Sequence, residues 1–141
     1  MHKILVVDNE EAIQLLYADE LTEEGYEVIT SGDGSQVMGL IEQRRPDLIV
    51  LAVRLDKCDG LDLLQDIRNT YYNLPVILCS AYPRFRYDPR SIAADYYILK
   101  SSDLSDLKQK IRMALEGCLH ILERTTVGNA KQMTTPLQSA L

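Results

Sequence analysis

Long apolar runs, tryptophan, paired cysteines and surplus basic charge are all missing from this 141-residue chain. No segment approaches the roughly 20 consecutive apolar residues of a membrane-spanning helix. The opening "MHKILVVDNE" has a run of only four apolar residues before Asp8, too short for a secretory leader, so a cytoplasmic location is expected. Twenty-one acidic residues against 15 basic ones give a net charge of −6, which leaves no basic surface for nucleic acid or an anionic membrane. Cys58, Cys79 and Cys118 are odd in number, far apart and never in a Cys-x-x-Cys pair. That argues against a disulfide frame or a zinc site and for free thiols in a reducing compartment. No P-loop, His-Glu-x-x-His or nucleophile elbow occurs, and His2 and His120 have no catalytic partner in the pattern. Internal repeats are absent, and the length suits one domain with its own core.

What is present is an alternation of short apolar runs with longer segments of helical period. "KILVVD" (3–8), "YEVIT" (26–30), "DLIVLAV" (47–53), "PVILCS" (75–80) and "YYIL" (96–99) read as strands. Ile13, Leu16, Tyr17 and Leu21 form one helical stripe; Val37, Leu40 and Ile41 a second; Leu64, Ile67 and Tyr71 a third. Gly25 and Pro46 stop the first two helices. A last helix opens at "SSDLSD", where Ser102 or Asp103 can cap it. Its stripe runs Leu104, Leu107, Ile111, Leu115, Cys118, Leu122, longer than a small domain needs, and the excess is a possible dimer seam. Between Ser80 and Asp95, Pro83 and Pro89 leave room only for a short or distorted fourth helix.

Alternating strands and helices with near-continuous apolar strands imply an α/β doubly wound, five-stranded parallel sheet, flavodoxin-like in topology. Strands 1, 3 and 4 are the most apolar and belong in the centre, which gives the order 2-1-3-4-5. Chemistry then belongs beyond the carboxyl ends of strands 1 and 3, and the strand tips bring Asp8, Asn9, Ala52, Ser80 and Lys100 around one pocket. Asp8 and Asn9 also stand where a helix N-cap would, Ser80 is a common turn former, and Lys100 has a plain reading as a surface lysine. Opposite Asp8, Lys100 is expected to form an ion pair.

"ILVVDNE", "PDLIVLAVRLDKCDGLDLL", "PVILCSAY" and "DYYILKS", in that order and spacing, resemble the landmarks of the receiver domain of two-component response regulators. The resemblance covers residues 3–122. It implies a receiver-like domain over 1–123 with an extended last helix; after Glu123 the chain turns polar and lacks a helical stripe, which predicts a flexible tail over 124–141. It also implies a phosphorelay in which a carboxylate at the end of strand 3 takes a phosphoryl group from a histidine kinase. By the same resemblance Asp8, Asn9 and the backbone carbonyl of Arg54 are the Mg²⁺ ligands, Ser80 and Lys100 bind phosphoryl oxygens, and Tyr97 is the switch aromatic.

The phosphoacceptor position of that pattern is Ala52, which has no nucleophile. Asn9 offers an amide where a carboxylate is usual, and Asp56, Lys57 and Ser101 replace the family's proline, glycine and proline. Mg²⁺ binding is therefore expected to be weak and no organic cofactor is expected. Two explanations stand open: a natural pseudo-receiver, or an Asp-to-Ala variant of a working one. Either is a non-enzymatic adaptor whose partners are a histidine kinase, a downstream protein, or a second copy through the face of helix 4, strand 5 and the last helix. Arg84, Arg86 and Arg90 make the helix 4 segment basic, which suits an acidic partner. The alternative from another class is a flavodoxin-like flavin or small-ligand binder. Against it, the acidic loop "DNEEA" would repel a phosphate, and "SGDGSQVMG" lacks the spacing of a dinucleotide loop. "LDKCDG" has Leu55 and Lys57 where a calcium loop needs oxygen ligands.

Overall fold

The computed structural model describes residues 1–127. Its elements are β1 (Lys3–Val7), α1 (Glu11–Glu23), β2 (Glu27–Ser31), α2 (Val37–Arg44), β3 (Leu48–Ala52), α3 (Gly60–Thr70), β4 (Val76–Ser80), β5 (Tyr96–Leu99) and α4 (Ser105–Val127). All pairings in the sheet are parallel and the order is β2-β1-β3-β4-β5. Every residue of β3 and β4 is buried, as central strands covered on both faces require, whereas β2 and β5 carry exposed residues at the edges.

Side-chain alternation sends each strand's residues to two cores. Leu5, Val7, Ile49, Leu51, Val53 and Leu78 pack against α2 and α3. Ile4, Val6, Val50, Ile77 and Cys79 pack against Tyr17 and Leu21 of α1, Leu104 just before α4, and Leu107 and Ile111 of α4. Asp8 and Ala52 continue the second set at the carboxyl edge, by the period of two along a strand.

Two backbone details aim the loops at that edge. The Asp59 carboxylate accepts the Leu61 N–H (2.8 Å) and starts α3. Gly60, the first residue of α3, lies so close to the Ala52 and Val53 carbonyls that a Cβ would clash with both. The loop after β3 therefore folds tightly back, with the Gly60 N–H bonded to the Val53 carbonyl (2.8 Å).

Four expectations are refined. Strand β2 sits one residue later than "YEVIT", because Tyr26 still bonds back to Leu21 and closes the turn after α1. The fourth helix is two 3₁₀ turns, Pro83–Tyr87 and Pro89–Ala93, each with its proline in the first turn. A proline fits that position, but Pro89 cannot donate to continue the first turn as an α-helix. Helix α4 continues to Val127, beyond the 123/124 boundary placed at the tail; residues 128–141 lie outside the described residues. It is Asp103 that serves its start, accepting from the Ser105 N–H (2.9 Å).

Candidate functional site

At the carboxyl edge Asp8 is 2% exposed and pairs with Lys100, whose Nζ lies 2.8 Å from Asp8 Oδ2. The other oxygen, Oδ1, accepts the Glu10 N–H at 2.9 Å; Glu10 itself stands at the N-cap of α1, which has no side-chain cap, so the N-cap reading of Asp8 and Asn9 does not hold. Glu10 also reaches Lys100, 3.3 Å from Nζ. Burial alone would depress the lysine's pKa, but the hydrogen bond and attraction to Asp8, joined by Glu10, outweigh it and raise the pKa above the ordinary value. This ammonium is permanently charged at neutral pH and doubly matched.

Ala52 ends β3, 1% exposed and in register with Cys79 of β4. Burial pushes the Cys79 thiol up to about 12, despite the opposing pull of Lys100, so it stays protonated and inert. Above this pair opens a hollow of about 220 Å³, lined by Asn9, Glu10, Arg54, Ser80, Tyr82 and Lys100 among others. Asp8 and Ala52 lie beneath it and do not line it.

Ser80, buried at 4% exposure, accepts the Tyr82 N–H at its Oγ (3.0 Å). Tyr97 donates its hydroxyl to the Tyr82 carbonyl at 2.8 Å. The hydroxyl and the aromatic singled out from the sequence therefore both bond the backbone of one residue, Tyr82, at its N–H and its carbonyl. The Tyr82 ring packs edge-to-face with Phe85 (centroids 6.2 Å apart), and the Arg54 and Arg84 guanidiniums lie over both rings at 4.7–5.6 Å.

The loops after β1 and β3 are joined by Asn9, whose Nδ2 donates to Asp56 Oδ1 at 2.9 Å. A divalent ion in this place would need oxygen ligands converging from these loops. Instead both Asp8 oxygens are engaged, the Asn9 amide is turned to Asp56, and the side chain of Ala52 offers no oxygen. Among the described residues no group of three His, Cys, Asp or Glu is disposed to hold a metal. The residues present do not fit a resident Mg²⁺.

The basic segment differs from expectation. Arg90 is consumed internally, bonding Asp88 (2.9 Å), Asp62 (2.7 Å) and Asp59 (3.3 Å). Arg68 of α3 likewise holds the Ala93 carbonyl and Asp95. Together they strap residues 83–95 to α3. Arg84 and Arg86 stack on aromatics, Arg86 over Tyr97 at 5.4 Å, and remain the outward cations.

Sequence reasoning missed Glu10, Asp56, Tyr82 and the Arg90 clamp. The signal for Tyr82 was present, since a serine at a strand end commonly bonds the N–H two residues on. The Arg90 partners come from two distant segments and carry no periodic signature.

Against models of protein families, residues 4–112 match the response regulator receiver domain. The chain belongs to the response regulator receiver family. Among solved structures it is similar to the response regulator TrrA of Thermotoga maritima in complex with Mg²⁺–BeF: 36% identity, TM-score 0.79, covering 82% of this chain and 100% of that one. TrrA has also been solved in complex with the histidine kinase ThkA (36% identity, TM-score 0.77, covering 82% of this chain and 99% of that one). Curated relatives include the alkaline phosphatase synthesis transcriptional regulatory protein PhoP of Bacillus subtilis, 42% identical over 56% of this chain and 33% of that protein. The probable transcriptional regulator ycf27 of Cyanophora paradoxa is 31% identical over 93% of this chain and 55% of its own length. This receiver thus spans about a third to about half of the length of these two relatives. No helix among its described residues is long and apolar enough to cross a membrane.

Proposed function

We propose that this receiver relays a two-component signal through protein contacts in the cytoplasm, without taking a phosphoryl group at residue 52. The observation that carries the reading is the methyl group of Ala52 at the end of β3, where an attacking carboxylate would have to stand. Supporting it, the Asp8–Lys100–Glu10 cluster is electrostatically complete without a metal or a phosphoryl group. On this reading the protein is not an enzyme, and Ser80, Lys100 and Tyr97 are retained parts of a phosphoryl site that lacks its acceptor. A covalent trigger would supply the differential binding energy that shifts a receiver between states; without it, partner binding has to do so.

The TrrA–ThkA complex supports a histidine kinase as one partner, and the transcriptional-regulator relatives support a downstream target in transcription control. Tyr82 (42% exposed), Leu99 (41%) and Ile92 (83%), with Arg84 and Arg86, form the apolar and basic surface on the 82–99 side that suits an acidic protein partner or a second copy. The flavin-binding alternative finds no support beside the family assignment, since the loop after β1 presents Glu10 and Glu11.

The test is incubation of the chain and of Ala52→Asp with acetyl phosphate and Mg²⁺, read by intact mass. No adduct is expected on the unaltered chain, and a labile phosphoryl adduct is expected on the variant. A phosphoryl adduct forming at this pocket of the unaltered chain sinks the reading. An unreactive variant would mean that Asn9 and the Asp56 loop disable the site independently, which favours a long-standing pseudo-receiver.

A further inference from the structure

The segment between β4 and β5 is held to the fold by side chains. No residue of its two 3₁₀ turns is buried, although Phe85 and Ala93 pack half-buried against the core beneath α2 and α3. The backbone bonds of the turns close within the segment: Asp88 to Phe85, Ser91 to Asp88 and Ala94 to Ser91. Three residues of α3 reach across to it. Asp62 takes the Arg90 guanidinium, Gln65 donates to the Arg90 carbonyl (3.3 Å), and Arg68 donates to the Ala93 carbonyl (2.7 and 2.9 Å). Their spacing of three puts them on one face of that helix.

Arg90 is the centre of this attachment. It meets Asp88 within the segment, Asp62 on α3 and Asp59 at the start of α3. The Asp59 carboxylate is divided: Oδ1 accepts the Leu61 N–H that opens α3, and Oδ2 faces Arg90. One carboxylate thus caps the helix and anchors the segment. The same loop sends Arg54 over the Tyr82 and Phe85 rings, at 5.0 and 5.6 Å. The loop after β3 and the segment after β4 therefore touch at two points, one ionic and one cation–π. All four members of the ionic cluster keep some contact with water, from 23% side-chain exposure at Asp88 to 70% at Asp62. Pairs in that setting are individually weak and screened by salt, so the attachment is of a kind that opens locally.

We propose that Arg90 is an ionic latch. Closed, it holds residues 83–95 on α3 and steadies the α3 cap through Asp59. Open, it frees the segment as a unit, together with the exposed Tyr87 and Ile92 that it carries. The latch links the start of α3 to that surface separately from the Ser80, Tyr82 and Tyr97 contacts. It is independent of whether residue 52 takes a phosphoryl group.

The experiment is amide hydrogen exchange of the full chain by ¹H–¹⁵N NMR at about 0.01 M and about 1 M salt, where screening lengths are about 30 Å and about 3 Å. In Arg90→Gln at low salt, exchange should quicken about tenfold at Ser91 and Ala94 and several-fold at Leu61. High salt should quicken the same amides in the unaltered chain and change Arg90→Gln little. Asp59→Asn, whose amide oxygen can still cap Leu61, should also loosen Ser91 and Ala94. The strand amides of β1 and β3 should hold throughout. Unaltered exchange at Ser91 and Ala94 in either variant, an unmoved Leu61 in Arg90→Gln, or equal salt responses in Arg90→Gln and the unaltered chain would overturn the proposal. So would a loss of protection that spreads equally to β1 and β3, because the contacts would then support the whole fold.

Discussion

The two halves of the strand edge are closed by different means. At the tips of β1 and β5, which flank β3 and β4 in the sheet, Asp8 and Lys100 are both largely buried and are matched by opposite charge, with Glu10 as a second anion. On the β3–β4 side, Ala52 and Cys79 close the edge by packing and carry no charge at neutral pH. The difference explains how the pocket keeps its shape with no carboxylate at the end of β3. Lys100 retains two anionic partners, so nothing at position 52 is required to neutralise it, and no buried charge is orphaned. The charged half is an interdependent set. The apolar half carries no such obligation.

The largest effect should come from breaking the charged half. Lys100→Met leaves the Asp8 carboxylate buried and unpaired, and should cost about 3 kcal/mol in urea unfolding. Asp8→Asn should cost less, about 1–2 kcal/mol, because Glu10 still serves Lys100 and the amide can keep the Glu10 N–H bond. Equal losses in the two variants would mean the halves are not distinguished in this way. The next effect tests the apolar half. Ala52→Asp places a second carboxylate at a buried position with Lys100 as the shared cation, and should cost about 1–3 kcal/mol at neutral pH. Added Mg²⁺ should restore that loss in the variant and leave the unaltered chain's stability unchanged. Stabilisation of the unaltered chain by Mg²⁺ would show that its donor set accepts the ion after all.

How much of this was legible in the sequence follows from the same contrast. Strand runs and topology were readable because buried parallel strands need continuous apolar residues, and the tips of those strands then place Asp8 opposite Lys100. The second bond of each charged group was not readable. Glu10 looks like any acidic residue before a helix, where the dipole already explains it. Arg90 looked like part of a basic face, yet its carboxylates at Asp59, Asp62 and Asp88 absorb it. Pro83 and Pro89 announced a short or distorted fourth helix, but the two 3₁₀ turns that form there depended on where those prolines fell. Hydrogen bonds made by side chains between distant segments carry no period, so Asn9–Asp56 and Tyr97–Tyr82 left no trace in the sequence pattern.

Alkaline pH offers a graded way to strain the charged half. Lys100 has a raised pKa in the folded state, so its contribution is complete below the unfolded lysine value and is lost as pH rises through the folded one. Tyr17 and Cys79 are raised as well and add losses of the same sign. Stability should therefore fall above about pH 9–10, and the fall should be shallower in Lys100→Met, which has no such proton to lose. Parallel alkaline limbs for the two proteins, measured by urea midpoints, would remove Lys100 from the explanation.

The smallest effect is expected where the two halves are tied together at the surface. Asn9 and Asp56 are both exposed, so their hydrogen bond competes with water at each end. Asn9→Ala or Asp56→Ala should change stability by no more than about 0.5 kcal/mol. The informative readout is local: hydrogen exchange should quicken over residues 53–59, while the Asp8–Lys100 side is untouched. A large global loss from either variant would mean that the clasp carries the β3 loop, and that the apolar half depends on a polar contact.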